Sequence, residues 1–133
     1  NGIIMSNGVN LAGHITIEDC AVIGGMVGVQ QFVRIGKYAM IGGMSGVPQD
    51  IPPFVIAAGE RTKLNGINII GLKRHGFSAE TISELKAAYK ILFRSGLATQ
   101  KAVQRIEEEG LTSPEVQDMV RFVLTSERGV LRK

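Results

Sequence analysis

Residues 15–47 read Ile15-Thr16-Ile17-Glu18-Asp19-Cys20, Ala21-Val22-Ile23-Gly24-Gly25-Met26, Val27-Gly28-Val29-Gln30-Gln31-Phe32, Val33-Arg34-Ile35-Gly36-Lys37-Tyr38, Ala39-Met40-Ile41-Gly42-Gly43-Met44 and Ser45-Gly46-Val47. The third residue of every unit is aliphatic, and the first is small or aliphatic. The phase runs outward to Met5 and Leu11 upstream, so it holds over eight units of six. Within a unit the first four residues alternate in, out, in, out, as in a strand, and the last two form a corner, such as Asp19-Cys20. A six-residue phase sustained this long is the hexapeptide-repeat signature.

A coarser period sits on top of it. Ile23-Gly24-Gly25-Met26 recurs as Ile41-Gly42-Gly43-Met44, and Gly28-Val29 with Gln31 recurs as Gly46-Val47 with Gln49, both after eighteen residues. Three strands and three corners per repeat make a triangular prism whose coils pair as parallel strands, rising about 4.8 Å per coil. Glycines beside the corners are expected for sharp turns and close backbone approach. An ordinary buried sheet of Val/Ile-rich strands would not keep this phase. About three coils fit before the pattern stops near Pro52-Pro53, and a solenoid needs neighbours and caps. With Asn1 already in phase and no initiator Met, the expectation is the C-terminal piece of a longer protein.

After Pro52-Pro53 helical spacing is expected. Ser78 is a good N-cap, Glu80 and Glu84 suit the positive end of a dipole, and Gly96 is a stop. Between them Ile82, Leu85, Tyr89 and Leu92 share a face. Thr99 to Gly110 reads as a shorter helix burying Val103 and Ile106. Ser113-Pro114 starts another that places Val116, Met119, Val120 and Val123 on one side. The division expected is 1–58 for the coils and 59–133 for a small helical domain.

Composition narrows function. The single cysteine, Cys20, excludes an internal disulfide and fits a reducing compartment, hence a cytoplasmic location. There is no long apolar run for membrane insertion and no signal-peptide pattern. Residues 1–60 carry a balance of −2 and residues 61–133 one of +5. Few aromatics, no Trp and no recognised motif argue against nucleic acid; an acidic protein or a phosphate-bearing ligand suits this modest excess better. Lys86, Lys90 and Arg94 form a basic line at four-residue spacing, as solvated surface or as a dock for an acidic partner. Two histidines, His14 and His75, with one cysteine make no convincing metal cluster. No nucleophile elbow or P-loop appears, and the repeat itself explains Gly24, Gly25 and Gly28.

The stretches Leu11-Ala12-Gly13-His14, Ile23-Gly24-Gly25-Met26, Gln31-Phe32, Gly42-Gly43, Ser45-Gly46-Val47 and Pro52-Pro53, followed by Asn65-Gly66-Ile67-Asn68 and Gly71-Leu72-Lys73-Arg74, take the chain further. Together they closely resemble the acyl-carrier-protein-dependent UDP-N-acetylglucosamine O-acyltransferases of lipid A biosynthesis. The hexapeptides alone are shared with other acyltransferases; the proline-bounded exit and the two motifs after it are specific. The resemblance implies a left-handed parallel β-helix, a homotrimer, and active sites in grooves between neighbouring prisms. It implies transfer of a 3-hydroxyacyl group from acyl carrier protein to the sugar 3-hydroxyl, without a cofactor or a covalent acyl-enzyme. A histidine acts as general base; the match sets it a few residues before Asn1, so this chain by itself is expected to be inactive.

The remaining positions carry over one by one. Gly13 matches the backbone donor to the thioester oxyanion, and His14 the neighbouring sugar-site histidine. Gln31 matches a residue contacting sugar or acyl chain, and Asn68 and Arg74 match nucleotide-binding positions. Gly43 matches the place limiting the acyl groove, with Met40 beside it. Gln30 stands where the family commonly has histidine, and His75 where an arginine often follows Arg74; His75 is retained as a substrate-binding candidate. Arg34 and Lys37 are candidate docking groups for the acidic carrier. Other readings are a hexapeptide acyltransferase using acetyl-CoA or a different nucleotide sugar, and a non-catalytic assembly solenoid; a zinc carbonic anhydrase of the same fold is disfavoured by so few histidines.

Overall fold

The computed structural model describes residues 2–5, 8, 10–11, 14–25, 27–43, 45–59, 62–126 and 129–131. The repeat folds as eight two-residue strands: β1 (Ile4–Met5), β2 (Asn10–Leu11), β3 (Thr16–Ile17), β4 (Val22–Ile23), β5 (Gly28–Val29), β6 (Arg34–Ile35), β7 (Met40–Ile41) and β8 (Gly46–Val47). Consecutive strands belong to different sheets, and each pairs in parallel with the strand eighteen residues on: Ile4 with Val22, Asn10 with Gly28, Thr16 with Arg34, Val22 with Met40. Three parallel ladders therefore wind as one three-sided solenoid. From Ala21 to Val47 both expected columns point inward, whereas Val9 and the side chain of Leu11 lie outside the described part. Ile23, Ile35, Ile41 and Val47 are buried to 1% exposure or less, as are Ala21, Val27, Val33 and Ala39. Met5, expected inside, is 50% exposed, because β1 pairs on one side only within this chain.

The corners depart from expectation. Left-handed backbone falls on His14, Cys20, Phe32, Tyr38 and Phe54 as well as on Gly2 and Gly8. Each such non-glycine residue costs roughly 1 kcal/mol. Contacts between coils offset that cost: His14 stacks on Phe32, and Tyr38 on Phe54, with ring planes within 10°. Gly24 and Gly36 serve close approach instead. A Cβ on Gly24 would lie 2.6 Å from the Gly43 nitrogen, and one on Gly36 would lie 2.3 Å from that of Pro53.

The coil does not stop at Pro52-Pro53. Ile35 bridges Ile51, and Met40 and Ile41 pair with Ile56 and Ala57, an offset of sixteen rather than eighteen. Two residues are lost between Val47 and Ile51, which breaks the six-residue phase in the sequence while β9 (Val55–Ala58) continues the ladder. An antiparallel partner missed by the sequence reading, β10 (Lys63–Ile67), then covers that sheet's edge.

Among the described residues four helices follow: α1 (Ile69–Arg74), α2 (Ala79–Tyr89), α3 (Thr99–Glu108) and α4 (Pro114–Thr125), with a π-helical turn, Lys90–Arg94, directly after α2. Ser78 and Ser113 cap as expected, their hydroxyls accepting from the Thr81 and Val116 amides. Ile82, Leu85, Tyr89 and Leu92 are buried, and α2 packs on β10 and α4. Two positions shift: Ala102 and Phe122 take core places, while Val103 and Val120 are only half-buried. The chain returns to the solenoid through Asp50. Its amide donates to the Gly129 carbonyl, its carbonyl accepts from the Leu131 amide, and its buried carboxylate accepts from the Arg34 amide and the Ser126 hydroxyl.

Candidate functional site

The three corner lines separate the candidate residues. His14 lies between β2 and β3, directly before Phe32 of the next coil, with ring centroids 5.4 Å apart. Gln31 and Phe32 are exposed on that same edge, Phe32 by 62%. An exposed imidazole on an exposed aromatic offers a flat, partly apolar shelf with hydrogen-bonding edges, suited to a sugar or a base. Gly13 lies outside the described residues. In the sequence Phe32 is marked by its place eighteen residues after His14.

A second edge carries Gly43, exposed between β7 and β8. A Cβ there would meet the Gly25 carbonyl at 3.1 Å and, among the described residues, no side chain within 4 Å. Met40, 40% exposed, stands in an outward row with Ile4, Val22 and Ile56, all in register on one sheet. That row is the apolar face of the prism; the outward positions of the second sheet include Gly28 and Gly46.

The third edge holds Cys20, Tyr38 and Phe54, and α1 is fastened against it. Asn68 is 6% exposed. Its Oδ1 accepts from the Gly71 amide, capping α1, and its Nδ2 donates to the Tyr38 carbonyl at 3.1 Å. Its backbone amide donates to the Phe54 carbonyl. The side chain of Asn68 is thus spent largely on positioning. Arg74 is exposed in the last turn of α1, and His75, at its C-cap, meets the Tyr38 ring edge-on at 5.0 Å, while Phe77 packs on both Tyr38 and Phe54. Burial, with a hydrogen bond to the Cys20 thiol, raises the Tyr38 hydroxyl above its ordinary pKa.

Arg34 and Lys37 face α4, across a cleft of about 390 Å³ lined also by Glu18, Asp19 and Phe122. Arg34 donates to the Thr125 hydroxyl at 2.9 Å, pairs with Glu18 at 3.5 Å and lies over the Phe122 ring. Lys37 pairs with Asp118 at 2.6 Å, and Asp118 also holds Arg121. Both cations are therefore engaged within the chain rather than standing free. Among the described residues no group of three or more His, Cys, Asp or Glu side chains could hold a metal, and no helix is long and apolar enough to cross a membrane.

A three-sided parallel solenoid with glycine-tight coils, closed by an antiparallel strand and a small helical cap, defines the class. The chain belongs to the UDP-N-acetylglucosamine O-acyltransferase family, whose domain 2 model matches residues 50–131. It is 47% identical over 136 residues to the acyl-[acyl-carrier-protein]–UDP-N-acetylglucosamine O-acyltransferase of Burkholderia orbicola, covering 99% of this chain and 52% of that protein. Its fold matches the UDP-N-acetylglucosamine acyltransferase of Bacteroides fragilis with a TM-score of 0.96 at 45% identity, over 99% of this chain and 52% of that one. The Francisella novicida enzyme matches with a TM-score of 0.92 at 39% identity, over 99% and 49%. The chain spans about half the length of the curated relatives it matches.

Proposed function

We propose that this chain is the C-terminal part of a cytoplasmic acyltransferase that moves a 3-hydroxyacyl group from acyl carrier protein to the 3-hydroxyl of UDP-N-acetylglucosamine, the first step of lipid A biosynthesis. The observation that carries this is the 47% identity running across 99% of the chain. The solenoid is read as left-handed, with residues 1–58 as its coils and 59–133 as the helical domain.

In this mechanism a histidine upstream of Asn1 takes the proton of the sugar hydroxyl as it attacks the thioester carbonyl. The tetrahedral oxyanion meets the Gly13 amide, and collapse expels the carrier's thiolate. His14, resting on Phe32, holds the sugar with Gln31. Arg74 offers a forked, permanently charged donor to the diphosphate, His75 stands beside it, and Asn68 serves by fixing the start of α1. The acyl chain runs along Met40 and past Gly43. Arg34 and Lys37 belong to the carrier-facing flank, in competition with their own partners on α4.

His14, Gly43 and His75 sit on three different edges of one prism. A single copy cannot gather them around one substrate, which supports a homotrimer with sites between neighbouring prisms; the apolar row through Met40 gives such packing a surface.

The test uses the chain extended upstream, incubated with UDP-N-acetylglucosamine and either 3-hydroxyacyl carrier protein or acetyl-CoA. The expected product is the 3-O-(3-hydroxyacyl) sugar nucleotide, made from the carrier thioester alone. Transfer only from acetyl-CoA overturns the reading.

A further inference from the structure

The π-helical turn has a mechanical partner in β10. In a regular α-helix, residues five apart lie about 140° around the axis and cannot meet. A π-turn, which bonds residues five apart, brings them onto one face. Here it brings Arg94 onto Tyr89: the guanidinium lies 5.4 Å from the ring centroid, and Nη2 donates to the Tyr89 hydroxyl at 2.8 Å.

The register of β10 is broken between Leu64 and Ile67, where Gly66 adopts φ +104°. Such a bulge turns backbone groups out of the ladder. Two backbone groups of the bulged segment find this pair. The second Nη2 hydrogen of Arg94 reaches the Leu64 carbonyl at 2.6 Å, and the Gly66 amide donates to the Tyr89 hydroxyl at 3.0 Å. The bulge leads directly into Asn68, which caps α1 and leaves Arg74 at its far end.

We infer that Tyr89 and Arg94 are positioning residues: the π-turn holds the β10 bulge, and the bulge sets the placement of α1 and Arg74 for the nucleotide diphosphate. This rests on the nucleotide reading given under Proposed function. Because one nitrogen serves both acceptors, a lysine at position 94 retains the essential contact, whereas a methionine of similar length does not.

The experiment uses the protein as expressed from its full reading frame. It measures UDP-N-acetylglucosamine binding, KM and kcat, together with amide exchange, for the unaltered protein, Tyr89→Phe, Arg94→Met and Arg94→Lys. Tyr89→Phe and Arg94→Met are expected to raise KM and Kd about fivefold with kcat within about twofold. Exchange should quicken at Gly66 and Asn68 and not in α3. Arg94→Lys should recover most of the loss. Unchanged Kd in both disabling variants, or quickened exchange spread evenly through the chain, overturns the inference while leaving the nucleotide reading intact. Failure of the unaltered protein to bind the nucleotide overturns that reading, and the role assigned to the pair with it.

Discussion

The imidazole of His14 stacks on the ring of Phe32, its plane within 10° of parallel, because the two residues occupy the same corner one coil apart. A stacked aromatic pair contributes roughly 0.5–1.5 kcal/mol. Phe32→Ala is therefore expected to leave the fold intact, since the ring is 62% exposed, and to raise KM for the sugar nucleotide about fivefold. Steady-state kinetics and a melting curve on the extended protein check both halves. An unchanged KM removes the shelf from the site.

Gly24 and Gly28 look alike in sequence and differ in space. Gly24→Ala forces the coil against the Gly43 backbone, whereas a Cβ on Gly28 meets nothing within 4 Å. The first change should destabilise by about 1–3 kcal/mol, and the second by less than about 0.5 kcal/mol. Paired denaturant titrations distinguish them; equal costs would contradict the coil spacing.

Gly43→Met should shift acyl preference toward shorter chains, because the new side chain extends from an exposed edge beside Met40. Competition between carrier thioesters of two lengths reads this directly. Identical selectivity in the variant takes Gly43 out of the groove.

Lys37 and Asp118 give a test of carrier docking. Each is about one-third exposed or less, so their pair contributes no more than about 1 kcal/mol to stability. If Lys37 also meets the acidic carrier, Lys37→Ala raises the carrier KM, and Asp118→Ala, by freeing the ammonium, lowers it. Both effects should shrink with added salt. A carrier KM indifferent to both substitutions confines Lys37 to its bond with α4.

Tyr38 predicts an alkaline effect. Burial, then the hydrogen bond to Cys20, raises its folded-state pKa above the unfolded value of 10.0. The folded protein thus holds this proton more tightly than the unfolded chain. The stability gained is fully present below pH 10 and is lost as pH climbs through the folded pKa. Tyr38→Phe should flatten the fall in melting temperature above pH 10 relative to the unaltered protein. Parallel curves for the two proteins would contradict the assignment.

The inward columns were readable because burial on a solenoid follows a strict sequence period, and Ile23 through Val47 obey it. The caps at Ser78 and Ser113 were readable because capping is local chemistry. The ladder from Met40 to Ile56 was hidden by two missing residues between Val47 and Ile51: contracting a corner alters the period without altering the coil. The same contraction concealed the Tyr38–Phe54 stack. Arg34 and Lys37 read only as docking candidates for the carrier, since nothing local announces that α4, eighty residues later, returns to cover them. The π-turn was equally invisible. Its sequence, Lys90-Ile91-Leu92-Phe93-Arg94, suits an ordinary helix, and its reason lies in a distant bulge.

Stacked parallel strands form a template that any further strand can extend, the growth habit of fibrils. Laying β10 antiparallel on β9, and bridging Asp50 to Val130, occupies ladder positions on two of the three sides at that end. One consequence is polymerisation control: cutting the Val130 strap or opening the β9–β10 hairpin should turn a discrete particle into one that lengthens end to end.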